Sequence, residues 1–237
     1  MPYRFFKPIL AGAQLPGRII ACIGAAICVA LTIIVCSQLP LASNDLPVIV
    51  APLGASAVLV FAVPSSPLAQ PWSVVGGNIL STLVGVAVHR LVPNVELASG
   101  LAVGGAILLM SLLRCLHPPG GAAALTAVIG SDSIHAAGYG FAFAPVGINS
   151  IALVSLAMLF HRISGHSYPH QPALPPQVAR AEQAAAGFHA EDIDRALEDM
   201  HESFDIARED LDLLLSRAEL HAKARMTASP PFPARSP

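Results

Sequence analysis

The sequence predicts an all-α, polytopic membrane protein in which a bundle of apolar helices is followed by a soluble helical tail. Of its 237 residues, 54% are hydrophobic and only 12% are charged, whereas soluble domains carry about 25% charged residues. The charge is uneven, because residues 1–165 hold nine charged side chains and the remaining 72 residues hold nineteen. We therefore expect two regions with different surroundings.

Four segments are long and apolar enough to cross a bilayer, which takes about 20 mostly apolar residues. Each has a centre free of charge, and they comprise residues 18–39, 72–92, 97–113 and 144–161. The first is longer than the apolar core of a cleaved signal peptide, so we expect it to be retained. The predicted membrane domain covers residues 18–163 and follows a cytoplasmic N-terminal segment of residues 1–17. Small residues that permit close helix contacts recur at four-residue spacing, at Gly77, Ser81 and Gly85 and at Gly100 and Gly104.

Two further apolar segments are too short to span comfortably and read as broken or half helices. Residues 48–63 are interrupted by Pro52 and Gly54, and residues 120–130 follow Pro118 and Pro119. Proline at the first turn favours the start of a helix. The sequence alone leaves open whether these segments cross the bilayer or re-enter the side they came from.

The two short segments resemble each other, which predicts an internal duplication. Pro-Leu-Gly-Ala-Ser-Ala at 52–57 matches Pro-Gly-Gly-Ala-Ala-Ala at 119–124. The repeats would cover about 18–92 and 95–163, each with a long, a short broken and a long helix. If the short segments cross, the halves are inverted, as in many transporters. If they are re-entrant, the halves are parallel.

The starts of the two short helices are candidate anion-binding positions. A helix start presents free N–H groups with partial positive charge. The residues that would offer backbone donors are Gly54, Ala55, Ser56, Gly120, Gly121 and Ala122. His117 precedes the second break and could bind or gate, while Asn78 and Asn149 occupy equivalent places in two long helices and could line the solute path. The alternative is that the breaks serve packing, with His117 bonded to a carbonyl and the asparagines to neighbouring helices.

No catalytic constellation is recognisable, so we expect no enzymatic activity, metal or other cofactor. The three acidic residues of the membrane region are far apart in sequence, and the four cysteines form no CxxC pair. The cysteines read as small buried hydrophobic residues. No basic patch suggests a nucleic-acid partner.

The tail divides into a linker, a helical region and an end that we expect to be disordered. Residues 164–188 are rich in proline and polar groups and form the linker. Residues 189–226 repeat apolar residues at heptad spacing, which predicts an amphipathic helix or a helical hairpin. It could lie on its own protein or join two copies, so a homo-oligomer, with a dimer favoured, is one expected partner. Residues 227–237 include Pro230, Pro231 and Pro233 and are predicted to be disordered.

Two blocks of the sequence resemble the HPP family of integral membrane proteins. They are Leu-His-Pro-Pro-Gly-Gly-Ala at 116–122 and Ala-Pro-Leu-Gly-Ala-Ser-Ala at 51–57, the latter followed by Pro-Leu-Ala-Gln-Pro at 67–71. The resemblance covers about residues 15–170 and implies four transmembrane helices. Plant members are chloroplast nitrite transporters, so it also implies nitrite or a related small anion. The tail resembles the connector that leads to a pair of CBS domains in longer relatives, and we expect this bacterial-type chain to lack that pair.

Together these features predict a membrane channel or secondary transporter for a small inorganic anion, most of all nitrite. The alternatives are a pathway for a neutral solute or a proton, and a non-transporting scaffold whose tail binds a partner. The positive-inside rule places the N-terminus and the tail in the cytoplasm. The expected location is a bacterial inner membrane, with the lipid bilayer as a further partner.

Overall fold

The computed structural model describes residues 15–38, 50–170, 189–200 and 204–228, and these are helical wherever their backbone is regular. The predicted all-α class is therefore confirmed. Parts of the predicted N-terminal segment, linker and disordered end lie outside the described residues. The described chain separates into two units, one before and one after the boundary between His170 and Gln171.

The first unit contains seven α-helices and two short irregular turns of helix within its described residues. The α-helices are α1 (Leu15–Ser37), α2 (Pro52–Ala62), α3 (Pro71–Leu91), α4 (Val95–Leu112), α5 (Pro118–Ile129), α6 (Asp132–Ala137) and α7 (Ile148–Ser164). A 3₁₀ turn, Pro67–Ala69, precedes α3, and a π-helical segment, Ala142–Gly147, leads into α7. The short helix α6 was not expected from the sequence.

Four helices of the described chain are long and apolar enough to cross a membrane, as the sequence predicted. They are Leu15–Ser37, Pro71–Leu91, Val95–Leu112 and Ala142–Ser164, the last being the π-helical segment together with α7. The first begins at Leu15, three residues before the predicted start, and the last begins two residues earlier than expected. Large apolar side chains on the outer faces remain exposed, including Ile23, Leu108 and Leu159. Such faces suit contact with lipid tails, which are as apolar as these side chains.

Proline and side-chain caps explain where several helices begin. Pro52, Pro71 and Pro118 each occupy the first helical position, where the missing N–H costs no hydrogen bond. Before α4, the Asn94 side chain accepts a hydrogen bond from the Leu97 N–H at 2.8 Å, as expected of an N-cap. Each break that the sequence placed at a proline is thus the start of a helix.

Contacts between helix ends give the direction of each helix. The guanidinium of Arg18, near the start of α1, donates to the Ala62 carbonyl at the end of α2. His161, near the end of α7, donates to the Val60 carbonyl. Trp72, at the start of α3, donates to the Leu113 carbonyl just after α4. We call this side of the bundle, with the start of α1 and the ends of α2 and α7, the Arg18 end.

The opposite side, which we call the Arg90 end, is formed where α3 and α5 finish. His89 of α3 stacks on His135 of α6, and His135 donates to the Val128 carbonyl near the end of α5. Both short helices therefore run lengthwise in the bundle, α2 towards the Arg18 end and α5 towards the Arg90 end. Because α1 starts at the Arg18 end and α2 finishes there, these two helices run in opposite directions.

The closest helix contact in the bundle is between α3 and α5, and small residues permit it. A Cβ at Gly77 would lie 2.6 Å from the Cβ of His117, and one at Gly85 would collide with the Ala124 carbonyl. These are two members of the stripe that the sequence singled out. The second stripe is different, since Gly100 and Gly104 have open space where a Cβ would stand.

On α4 it is instead Ala98, Ala102 and Ala106 that are buried. Their four-residue spacing brings α4 against α3 and α5. The prediction that the Gly100 and Gly104 face of α4 packs against other helices is therefore wrong. The face that carries the three alanines packs instead.

The second unit contains two helices among its described residues, α8 (Ala190–Met200) and α9 (Arg208–Ala228). Arg208, at the start of α9, forms ion pairs with Asp194 of α8 at 2.7 Å and with Asp212 at 2.6 Å. The predicted heptad region is thus interrupted rather than one continuous helix, and the coiled-coil pairing stays a prediction. The helix α9 extends to Ala228, two residues into the segment expected to be disordered.

Candidate functional site

The candidate site is a buried group of polar side chains where α2, α3, α7 and the start of α5 meet. Its members are Ser56, Asn78, His117 and Ser150, and each is at most 2% exposed. Asn78 lies about 10 Å along α3 from its start, at a rise of about 1.5 Å per residue. The group therefore lies inside the apolar part of the bundle, towards the Arg18 end. We call these four residues the polar network.

His117 is held at both ring nitrogens. Its Nδ1 lies 2.8 Å from the Leu68 carbonyl oxygen, and because a carbonyl can only accept, Nδ1 carries a proton and donates. Its Nε2 lies 2.8 Å from the Ser56 hydroxyl. In the neutral ring Nε2 has no proton, so it accepts the hydroxyl proton of Ser56.

Asn78 links Ser56 to Ser150 within the polar network. Its Nδ2 donates one proton to Ser56 Oγ at 3.2 Å and the other to Ser150 Oγ at 3.1 Å. Ser150 in turn donates to the Val146 carbonyl at 2.9 Å. A continuous series of hydrogen bonds thus runs from the Leu68 carbonyl to the start of α7.

The polar network can accept a proton at His117 without losing a partner. If Nε2 gains a proton, it donates to Ser56 Oγ, and the Ser56 hydroxyl turns to the Pro52 carbonyl 3.3 Å away. Both states of the ring are therefore hydrogen-bonded, as a buried polar group requires. Reversible protonation of a buried histidine is the property that a proton-coupled or gated pathway needs.

Two polar atoms beside the polar network are buried and lack a hydrogen-bond partner in the described part of the chain. They are Asn78 Oδ1, an acceptor, and Ser81 Oγ, which can both donate and accept. Ser81 is one turn beyond Asn78 on α3 and lies against Gly120, where an added Cβ would come within 2.6 Å of its hydroxyl. Unsatisfied buried groups of this kind suit a site that receives a polar solute.

Of the nine site residues predicted from the sequence, six are buried or partly buried and three are exposed. Ser56 is hydrogen-bonded to both Asn78 and His117. Asn149 is buried beside Ser150, and its Nδ2 donates to the Pro145 carbonyl at 2.7 Å. Gly120 is buried behind the network, and Gly121 is partly buried. Those on exposed surface, outside the hydrogen-bonded group, are Gly54, Ala55 and Ala122.

The first backbone N–H groups of the short helices are largely occupied. At α2 the N–H of Leu53 donates to Val50 and that of Gly54 to Ala51, both at 3.0 Å, while at α5 the N–H of Gly120 donates to His117 at 2.8 Å. The proline nitrogens have no N–H. Side chains, rather than these amides, thus present the polar groups of this site, and anion binding by the helix starts stays a prediction.

One member of the polar network and one residue beside it were not anticipated as site residues. Ser150 adjoins the predicted Asn149, and Ser81 was noticed only as a small packing residue. A serine in an apolar helix is often bonded to its own helix backbone, so neither carries a distinctive signal. Among the described residues no group of three metal-binding side chains occurs.

Comparison with known proteins places this geometry in a family. The family model "HPP, transmembrane region" matches residues 11–169. A transmembrane protein of Dictyostelium discoideum is 39% identical over 127 residues, which cover 52% of this chain and 44% of the relative. A second transmembrane protein of that organism is 39% identical over 114 residues, covering 46% and 36%.

The chain thus spans less than half of the length of these curated relatives. No solved structure matches it. The family match covers about two thirds of the chain and includes both short helices and the whole polar network. The chain belongs to the HPP transmembrane family and is a multi-pass integral membrane protein.

Proposed function

We propose that this protein carries a small inorganic anion of the nitrite class across a membrane, with the polar network as its site of passage. The observation that carries the proposal is the hydrogen-bonded contact between His117 and Ser56, which joins the starts of two broken helices inside the apolar bundle. Polar and ionisable residues at such depth usually mark a solute pathway.

The chemistry of the polar network suits an anion that travels with a proton. The protonated ring of His117 would balance one negative charge, and the hydroxyl of Ser81 would donate to an oxygen of the anion. Asn78 Oδ1 would accept from a protonated solute such as nitrous acid. The resemblance to plant nitrite transporters supports the same class of substrate.

The direction of the helices supports a transporter with inverted halves. In the first half α1, α2 and α3 alternate in direction, and in the second half α4, α5 and α7 do so in the opposite order. Three passes per half would relate the repeats by an axis in the membrane plane, and broken helices near that axis are typical of secondary transporters. With the N-terminus in the cytoplasm, the Arg18 end would face the cytoplasm.

A selectivity assay in proteoliposomes tests the proposal. Purified full-length protein would be offered nitrite, nitrate, chloride and formate, beside Ser56→Ala and the matched control Ser111→Ala. Ser111 is exposed on α4 and bonds only to the Ile107 carbonyl of its own helix. We expect nitrite flux that Ser56→Ala reduces and Ser111→Ala does not. Equal flux in both variants would remove the polar network from the pathway.

A proton pathway is the second candidate, because the ring of His117 can take up and release a proton while it stays hydrogen-bonded to Leu68 and Ser56. It would give proton flux in the absence of any permeant anion. Anion-dependent proton uptake supports coupled transport instead, and the same liposomes with a pH-sensitive dye separate the two.

A further inference from the structure

A second group of polar side chains lies at the Arg90 end, away from the polar network. It surrounds a cavity of about 170 Å³, whose lining residues are Val86, His89, Arg90, Ala127, Ile134, His135 and Gly138. We call it the Arg90 pocket. Three elements form it: the end of α3, the end of α5, and α6 with the residue that follows it.

The Arg90 pocket concentrates basic groups and has no internal counter-charge. The rings of His89 and His135 are stacked, with centroids 3.8 Å apart and planes at 17°. The guanidinium of Arg90 lies over the ring of Tyr139, 4.9 Å from its centroid. Within the described part of the chain, no carboxylate forms an ion pair with Arg90 or with either histidine.

The local backbone is shaped to hold these groups. His135 donates from Nε2 to the Val128 carbonyl at 3.1 Å, which fixes its ring against the end of α5. Gly138 has a φ of +54°, and a Cβ at this position would collide with the guanidinium of Arg90. Glycine therefore both permits the backbone turn and leaves room for the arginine. Arg90 is placed by Tyr139 on one side and by Gly138 on the other.

We propose that the Arg90 pocket binds one oxyanion, either a free inorganic anion or the phosphate of a lipid headgroup. A guanidinium offers a planar fork of donors that matches phosphate or carboxylate-like oxygens, and an imidazole N–H beside it adds another. A volume of about 170 Å³ holds a small oxyanion with a few waters, each of which occupies about 30 Å³. This binding does not depend on the proposed transport.

Arg162 provides a matched control. It follows His161 near the end of α7, as Arg90 follows His89 near the end of α3, and it is exposed. It does not line the Arg90 pocket. A change of charge at Arg162 therefore reports on net charge alone, whereas the same change at Arg90 reports on the pocket.

The test is titration calorimetry on purified full-length protein in a phosphate-free detergent at constant ionic strength. Phosphate and nitrite are the probes, and every protein carries His117→Ala, so that the polar network does not contribute. We expect saturable binding that Arg90→Gln weakens at least 10-fold and that Arg162→Gln changes less than 2-fold. Arg90→Lys keeps the charge but loses the planar fork of donors, and it should weaken binding by a factor between those of the other two variants.

Added lipid identifies the source of the oxyanion. If phosphatidylglycerol competes with phosphate in the parent protein but not in Arg90→Gln, the pocket accepts a lipid phosphate. If phosphate or nitrite binds regardless of lipid, it accepts a free anion. Absence of saturable binding of all three probes, or equal binding in the parent and Arg90→Gln, would overturn the proposal. Neither result depends on whether the protein transports nitrite.

Discussion

Removing the Ser56 hydroxyl should destabilise the membrane bundle, and the size of the loss can be worked out from its bonds. Ser56 accepts a proton from Asn78 and donates one to His117. Ser56→Ala therefore leaves two buried groups without a partner, one amide hydrogen and one ring nitrogen. Each unsatisfied buried group costs about 1–3 kcal/mol in soluble proteins.

The membrane lowers that figure. Hydrogen bonds between membrane helices average only about 0.6 kcal/mol, because the unfolded chain in lipid also finds partners. Deleting the hydroxyl also removes its own cost of burial. We therefore expect Ser56→Ala to lower the free energy of unfolding by about 1–4 kcal/mol, between the two limits.

Reversible unfolding in mixed micelles, followed by circular dichroism as the fraction of denaturing detergent rises, measures the loss. Ser111→Ala is the control, since it deletes an exposed hydroxyl that bonds only to its own helix, and surface changes usually stay within about 0.5 kcal/mol. Equal stability of Ser56→Ala and Ser111→Ala would show that the bonds of the polar network contribute nothing to the fold.

Two adjacent glycines should respond differently to the same change: Gly120→Ala places a Cβ 2.6 Å from the Ser81 hydroxyl and should cost about 1–3 kcal/mol, while the nearest atom to a Cβ at Gly121 is 3.8 Å away on Val103. Similar stability of the two variants in the micelle assay would contradict this packing. A third prediction concerns Tyr168, whose pKa is raised by burial and whose hydroxyl donates to the Ala69 carbonyl at 2.9 Å. Because the folded pKa of Tyr168 is above the unfolded value of about 10, its stabilising effect is complete below pH 10 and is lost as pH rises beyond it. From pH 8 to 11 the free energy of unfolding should therefore decline more steeply for the parent than for Tyr168→Phe. Parallel declines in the two proteins would refute this.

The sequence predicted the long helices well because burial in lipid demands long apolar segments without charge. It also predicted the breaks at Pro52 and Pro118, since proline constrains the backbone locally. Proline also explains Ala144, which leaves helical geometry just before Pro145, because the residue before a proline is pushed out of the helical region. The sequence alone placed the start of a helix at this residue. Features that depend only on residues close together in the chain could therefore be predicted from the sequence.

Features that depend on contacts between residues far apart in the chain could not be predicted from the sequence. The sequence identified Ser56, Asn78 and His117 separately, but nothing in it indicated that Asn78 would bond to both Ser56 and Ser150, 22 and 72 residues away. The face of α4 that packs is decided by the shape of its neighbours, so alanines were buried where glycines were expected. Helix α6 is only six residues long and is polar at its start, which gives too few turns for a periodic signal.

The Arg90 pocket is another feature that could not be predicted from the sequence. His89 and Arg90 lie in the last turn of α3, and the sequence alone assigned them no binding role. Their pocket depends on Gly138 and on the stacking of His135, and both come from a loop and a short helix that the sequence did not resolve. Basic residues at the ends of apolar helices therefore need structural context before they can be assigned a role.

The most direct test of anion passage through the polar network is the initial rate of nitrite uptake into proteoliposomes that contain full-length protein, compared with the His117→Gln variant at equal protein content. We expect saturable uptake by the parent and at least a 10-fold lower rate in the variant, because glutamine cannot take up the proton that balances the anion. Equal rates in the two proteins, or no nitrite uptake by folded parent protein, would contradict the central claim that the polar network carries the anion.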